Sequence, residues 1–296
     1  MQRIVPNIWS NREADEAAAF YLKAFPEARV VEKTTYPSEG LLDFQEEFAG
    51  QTLTVTIEIN GYRLTLINAG DEFSPNPSVS FFLNFDPAFR ADARGDLDRV
   101  WQSLSRDGSV FMELGEYPFS KRYGWVEDKY GVSWQIMLTD PAGEERPFIL
   151  PCLMFSGEAQ NKATEAVDFY LSVFPDARLG TRVTYPQAQG PAEAGAVMYS
   201  DFQLYGEWLT AMDSGAEQSF NFGAGVSLQV NVSGQAELDR IWGSLSAVPE
   251  AEQCGWLSDR YGLSWQITPD NLEELMQRPG AYGKLMAMHK IEIDRF

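Results

Sequence analysis

Four sequence blocks recur in the same order in the two halves of this 296-residue chain. AFYLKAFPEAR at 19–29 returns as DFYLSVFPDAR at 168–178, an offset of 149, and Tyr36-Pro37 returns at the same offset as Tyr185-Pro186. DRVWQSLS at 98–105 returns as DRIWGSLS at 239–246, an offset of 141. YGWVEDKYGVSWQI at 123–136 returns as CGWLSDRYGLSWQI at 254–267, an offset of 131. Ordered self-similarity over a whole chain means two copies of one structural unit. The falling offset means that the second copy has shorter loops. The turn-rich, charged stretch TDPAGEERP at 139–147 reads as the linker, so the copies run over 1–142 and 147–296.

Each copy reads as strand–helix–three strands, twice. RIVPNIW is a short strand. Asn11 is a candidate N-cap for the helical spacing of READEAAAFYLKAF, which Pro26 ends. ARVVEKTTY is a strand, and LTVTIEI–Asn60-Gly61–YRLTLIN is a hairpin, because Asn-Gly accepts the positive φ of a tight turn. SVSFFLNF, the helix ARGDLDRVWQSLSRDG and two further strands around DKYG complete a second unit. The whole chain is therefore expected to be α+β: four βαβββ modules forming cup-shaped mixed sheets, each sheet with one face under helices and one face open. Such cups suit small ligands.

A net charge of −20 is spread evenly, with 24 acidic against 14 basic residues up to Arg146 and 19 against 9 beyond it. No Lys/Arg cluster suits phosphates, so nucleic acid is excluded as a partner, and an anionic lipid surface would be repelled. Cations, including amine-bearing compounds, would be attracted. Cys152 and Cys254 form neither a disulfide framework nor a CxxC pair. No signal peptide or apolar run of spanning length is visible, and the expected location is the cytoplasm.

FYLKAFP, the Asn-Gly hairpin, FFLNF with DRVW after it, and GWVEDKYGVSWQI together resemble the PhnB-like family, whose members carry the label 3-demethylubiquinone-9 3-methyltransferase. That family belongs to the vicinal-oxygen-chelate superfamily, with glyoxalase I, extradiol dioxygenases and bleomycin-resistance proteins. The resemblance covers nearly the whole chain, twice. It implies paired βαβββ domains and, in the superfamily's enzymes, one divalent metal held by His and Glu from the first and last strands of each unit. The methyltransferase label gains no support from the residues: no glycine-rich strand-to-helix loop followed by an acid is present.

The resemblance puts a glutamate ligand at the end of D-x-x-G-x-x-x-E. Here DKYGVSWQ and DRYGLSWQ place Gln135 and Gln266 there, and an amide oxygen is a weak neutral ligand. The first strands offer Asn7 and Cys152. The fourth strands of the first and third units end in Asn68 and Asp213. Strand alternation puts Ser133 and Ser264 on the faces of Gln135 and Gln266, and Trp134 and Trp265 on the opposite faces under the helices. Trp125 and Trp256 precede the turns and are candidates for the rim. The expected cavity lining is thus Asn7, Asn68, Trp125, Ser133, Gln135, Cys152, Asp213, Trp256, Ser264 and Gln266. Cys152, Asp213 and Gln266 are the one candidate metal set. The single histidine, His289, lies in the C-terminal tail, so no Ser–His–acid or Cys–His pair is available inside the domains.

Three functions compete. The first is a small-molecule binder without a cofactor, akin to bleomycin-resistance proteins. The second is a glyoxalase-, dioxygenase- or other lyase- or transferase-like enzyme with an atypical divalent-metal site in one copy, motivated by Asn68 against Asp213. The third is an interaction module. Single-copy relatives pair to complete their architecture, so this chain is expected as a monomeric pseudo-dimer or a homodimer. The tail after the last strand is expected to dock on a sheet edge or a partner chain.

Overall fold

The computed structural model describes residues 2–296. The first unit is β1 (Ile4–Asn11), α1 (Ala14–Ala24), β2 (Ala28–Thr35), β3 (Thr52–Ile59) and β4 (Tyr62–Ala69). The second is β5 (Val79–Phe85), α2 (Ala93–Leu104), β6 (Ser109–Tyr117), β7 (Ser120–Glu127) and β8 (Ser133–Leu138). The third is β9 (Ile149–Phe155), α3 (Ala163–Val173), β10 (Arg178–Thr184), β11 (Val197–Leu204) and β12 (Glu207–Asp213). The fourth is β13 (Val226–Val232), α4 (Gly234–Leu245), β14 (Trp256–Ser258) and β15 (Ser264–Pro269).

The sheets do not follow the division into copies. One has seven strands in the order β14-β15-β13-β1-β4-β3-β2, the other eight in the order β10-β11-β12-β9-β5-β8-β7-β6. The first unit therefore shares a sheet with the fourth, and the second with the third. The seams are antiparallel pairs of first strands: Asn7 opposite Ser227 in β1–β13, and Ser80 opposite Cys152 in β5–β9. We call the seven-stranded sheet cup A and the eight-stranded sheet cup B.

What holds each copy together is helix packing. One core contains Tyr21 of α1 and Phe25 just after it, Leu97 and Leu104 of α2, and core-facing side chains of both sheets. Tyr21 packs edge-on and Phe25 at a tilt against Trp134 of cup B, although α1 also lies on β3 and β4 of cup A. Tyr170 of α3 and Phe174 just after it meet Trp265 of cup A in the same way. The helices thus form a layer between the sheets, leaving the other face of each sheet as the inside of a cup. Trp134 and Trp265 are fully buried on the helix side, as alternation along the last strands requires.

The repeated motif DxYGxSWQ owes its aspartate to this core. Asp128 Oδ2 accepts from Tyr21 Oη at 2.8 Å and Trp134 Nε1 at 2.8 Å, while Oδ1 accepts from the backbone N–H groups of Tyr130 and Val132. Asp259 makes the same four bonds with Tyr170, Trp265, Tyr261 and Leu263. Burial pushes both carboxyls above their ordinary pKa, opposed by those donors.

Two local expectations change. Asn11 ends β1 and caps nothing: Glu13 holds the N-cap position without a side-chain bond. The fourth unit has three strands, because the ten residues lost between offsets 141 and 131 remove the counterpart of β6. The tail fills that edge. After α5 (Leu272–Met276) and α6 (Ala281–Met286), the Met288 and His289 carbonyls accept from the Cys254 and Gly255 N–H groups at 2.7 Å each. Ile291 is buried, and Gln235 of α4 bonds the Ile291 carbonyl and the Ile293 N–H. His289 itself is exposed. Among the described residues no helix is long and apolar enough to cross a membrane.

Candidate functional site

The centre of each cup is the seam and the last strands beside it. In cup B, Ser80 of β5 faces Cys152 of β9, and Thr210 of β12 stands opposite Cys152. Gln135 Nε2 donates to Ser80 Oγ at 2.9 Å, and Gln135 Oε1 accepts from Tyr123 Oη at 2.7 Å. The Cys152 thiol lies against Thr210, Ser80 and Gln135, and burial pushes its pKa up to about 11. It is therefore a neutral thiol at ordinary pH. Around this polar centre the wall is apolar: Phe82, Tyr123 and Leu150 are buried, with Met112, Tyr117, Trp125, Met137, Tyr199, Trp208 and Met212 packed against them. Trp125 Nε1 donates to Ser133 Oγ at 2.8 Å, so both expected lining residues are present, with Trp125 half-exposed at the rim.

The linker crosses the mouth of cup B. The Arg146 guanidinium stacks on the Trp208 ring, 3.9 Å from its centroid, and Nε donates to Asp201 Oδ2 at 2.9 Å. Arg146, Arg178, Glu144, Thr181 and Trp208 surround a cavity of about 400 Å3 there.

In cup A the wall is polar. Asn7 of β1 lies between Ser227 of β13 and Thr65 of β4. Gln266 Nε2 donates to Ser227 Oγ at 2.8 Å. Asn7 Nδ2 donates to Gln229 Oε1 at 3.2 Å, and Gln229 Nε2 donates to Asn231 Oδ1 and Thr268 Oγ1. Thr65 and Thr56 share a bond of 3.0 Å. Trp9, Trp256 and Phe73 cluster edge to face at one end. Ser264 pairs with Ser258 on the same inner face.

Asn68 and Asp213 are not in either cup. They follow the core-facing Leu64 and Leu66, and Leu209 and Ala211, so they point to the helices. Asn68 Oδ1 accepts from Ala14 N at 3.2 Å and Nδ2 donates to the Thr52 carbonyl at 3.0 Å. Asp213 accepts twice, from Ala163 N at 3.1 Å and Val197 N at 2.8 Å. Each caps the first turn of a helix, where partial positive charge favours an acceptor. The difference between Asn and Asp follows from the second partner, a carbonyl in one copy and an N–H in the other. Cys152, Asp213 and Gln266 are therefore not brought together: one lies in cup B, one on the helix side, one in cup A. Among the described residues no group of three His, Cys, Asp or Glu side chains is placed to hold a metal ion.

Thr65, Thr210 and Tyr123 are not picked out by the sequence. The signal for the threonines was available: they share a strand face with Arg63 and Trp208, away from Leu64 and Leu209. The partnership of Tyr123 with Gln135 needed the β7–β8 register.

First and last strands thus offer Asn7, Ser80, Cys152 and Ser227, with Thr65, Gln135, Thr210 and Gln266. All are neutral, and most are bonded to one another. The superfamily's divalent metal, which needs carboxylate or imidazole donors, does not fit this set.

Paired βαβββ-type units whose sheets open as cups away from a helical layer define the glyoxalase-like fold. The chain belongs to the 3-demethylubiquinone-9 3-methyltransferase family, whose model matches residues 2–137 and again 147–268. It is 30% identical to the PhnB protein of Bacillus cereus over 47% of this chain and 100% of that one, with a TM-score of 0.40. Glyoxalase I from Zea mays shares the fold across both copies: 12% identity, 92% of this chain and 96% of that chain, TM-score 0.56. No curated protein matches the chain.

Proposed function

We propose that this protein binds a flat aromatic small molecule in cup B, without a divalent metal and without chemistry on the ligand. The observation that carries the reading is the composition of that inner face. A neutral Ser80–Gln135–Cys152–Thr210 centre is ringed by methionine, tyrosine and tryptophan side chains. Methionine adapts to irregular ligands and contacts aromatic rings favourably, and aromatic walls supply large apolar area with defined stacking geometry. The net charge of −20 favours ligands that also carry an amine.

The enzyme reading rested on the Asn68–Asp213 difference, and helix capping accounts for that difference without catalysis. Both cups are completed by strands of this one chain, which supports a monomeric pseudo-dimer.

Thermal-shift screening of aromatic amines on chelator-treated protein tests the binding. Hits are expected to stabilise wild type and to lose at least about ten-fold in affinity, about 1.4 kcal/mol, in Trp208→Ala. Uniform silence across the panel, or hits indifferent to Trp208→Ala, would remove the proposal.

A further inference from the structure

The two cups have diverged at one equivalent position, and this bears on what cup A accepts. In cup B the Gln135 amide is satisfied at both ends, because Tyr123 Oη donates to Oε1. The repeat aligns Tyr123 with Cys254. Cys254 has a left-handed backbone (φ 43°), and its N–H is taken by the tail at the Met288 carbonyl. No phenol therefore reaches Gln266, and among the described residues Oε1 of Gln266 accepts no hydrogen bond from the chain. Asn7 Oδ1 is likewise without a donor, its orientation fixed by Nδ2 bonds to the Val5 carbonyl and Gln229. Asn7 and Gln266 are 2% and 8% exposed. Two acceptors that take no hydrogen bond from the chain thus stand open on one face, within reach of a donor that enters the cup.

We propose that cup A is a second ligand site for a neutral polyhydroxylated molecule, of sugar or cyclitol type. Its hydroxyls donate to Asn7 Oδ1 and Gln266 Oε1, and its apolar ring face lies on the Trp9–Trp256 pair. The choice of a neutral donor follows from the wall. Asn7, Gln229, Gln266, Thr56, Thr65 and Ser227 carry no charge, and Glu58 on that face is already paired with Arg29 and Arg63, so a buried ammonium would lack a free counter-ion. Hydroxyls match an amide-and-hydroxyl lining, and indole rings pack against the C–H face of a sugar ring while keeping their polar edge bonded; Trp9 Nε1 already donates to the Gly70 carbonyl at 2.8 Å. This rests on the reading that the cups hold ligands, but it assigns cup A a chemistry that cup B lacks.

The test is a titration of the full chain with glucose, trehalose and myo-inositol, followed by the indole N–H resonances of 15N-labelled protein. Saturable shifts confined to Trp9 and Trp256 are expected for at least one of the three. Gln266→Met, which keeps the shape and removes the acceptor, is expected to weaken that binding at least ten-fold. If Gln266→Met does not fold, Trp256→Leu serves, with the same expected loss. No shift with any of the three, or shifts centred on Trp125 and Trp208, overturns the inference. An aromatic amine that binds cup B is expected to bind alongside the sugar, so loss of amine binding alone would strike the cup B reading and leave this one standing.

Discussion

The hydroxyl of Tyr21 donates to the Asp128 carboxylate at 2.8 Å, across 107 residues of sequence and from the helix of one unit into the last turn of the next. Tyr170 and Asp259 repeat the contact at 2.7 Å across 89 residues. The two most obvious repeated blocks, FYLxxFPxAR and DxYGxSWQ, are thus halves of one buried node that fastens the helix of a first unit to the sheet of a second.

Removing one donor from that node leaves a buried carboxylate short of a partner. Tyr21→Phe is expected to cost about 1.5–3 kcal/mol, and Tyr170→Phe a similar amount. Asp128→Asn turns an amide N–H toward at least one N–H or O–H donor and is expected to cost more than Tyr21→Phe. Urea unfolding measures all three; a change below about 0.5 kcal/mol in each would show that the node is not what joins the units.

The caps Asn68 and Asp213 are matched to their partners. Asn68→Asp sets a carboxylate against the Thr52 carbonyl, and Asp213→Asn sets an amide N–H against the Val197 N–H. Each is expected to destabilise by about 1–3 kcal/mol at neutral pH. Burial raises the Asp213 pKa above its ordinary 3.8, so its protonation favours the folded state. That contribution is fully present below 3.8 and is lost as pH rises through the raised folded-state value. Relative to Asp213→Asn, wild type should therefore lose stability across that window; stability curves of fixed separation would contradict this.

Neither thiol should be reactive in the native state. Burial pushes Cys152 up to about 11 and Cys254 up to about 12, leaving about one part in a thousand or less as thiolate at mildly alkaline pH. An aromatic disulfide reagent is expected to titrate both cysteines only after unfolding in guanidinium. Rapid reaction of a native thiol would mean that the cup B centre or the Cys254 edge is open.

The tail replaces a strand, so its anchor should matter as a core residue does. Ile291 is buried, and its Cδ1 lies within 2.9 Å of where a Cβ on Gly255 would stand. Ile291→Ala is expected to cost about 2–5 kcal/mol, read as a lower urea midpoint. An unchanged midpoint would mean that the tail only rests on the edge.

Much of this was legible beforehand. The repeat gave the unit and its count, and alternation along VSWQIML and LSWQITP placed Gln135 and Gln266 inside and Trp134 and Trp265 under helices. The exchange of strands between copies was not legible, because period-two alternation fixes which face a side chain takes and not which strand lies alongside. Pro6 and Pro151 also stand in the seam strands β1 and β9, and proline ordinarily argues against a central position. Asn68 and Asp213 lie outside the cups for a different reason: they stand at the ends of their strands, and the period from Leu64 and Leu209 assigns them to the helix side. The partners of Gln135 and Gln266 depended on whether a tyrosine or a left-handed cysteine stood across the ladder, which only the register reveals.

The central claim is that cup B binds without a metal. The most direct measurement is calorimetric titration of a flat aromatic amine, taken from the thermal-shift hits, into chelator-treated protein and into protein supplied with Zn2+ or Ni2+. The same affinity at one site per chain in both samples is the predicted result. Binding that is absent after chelation and restored by either metal would contradict the account.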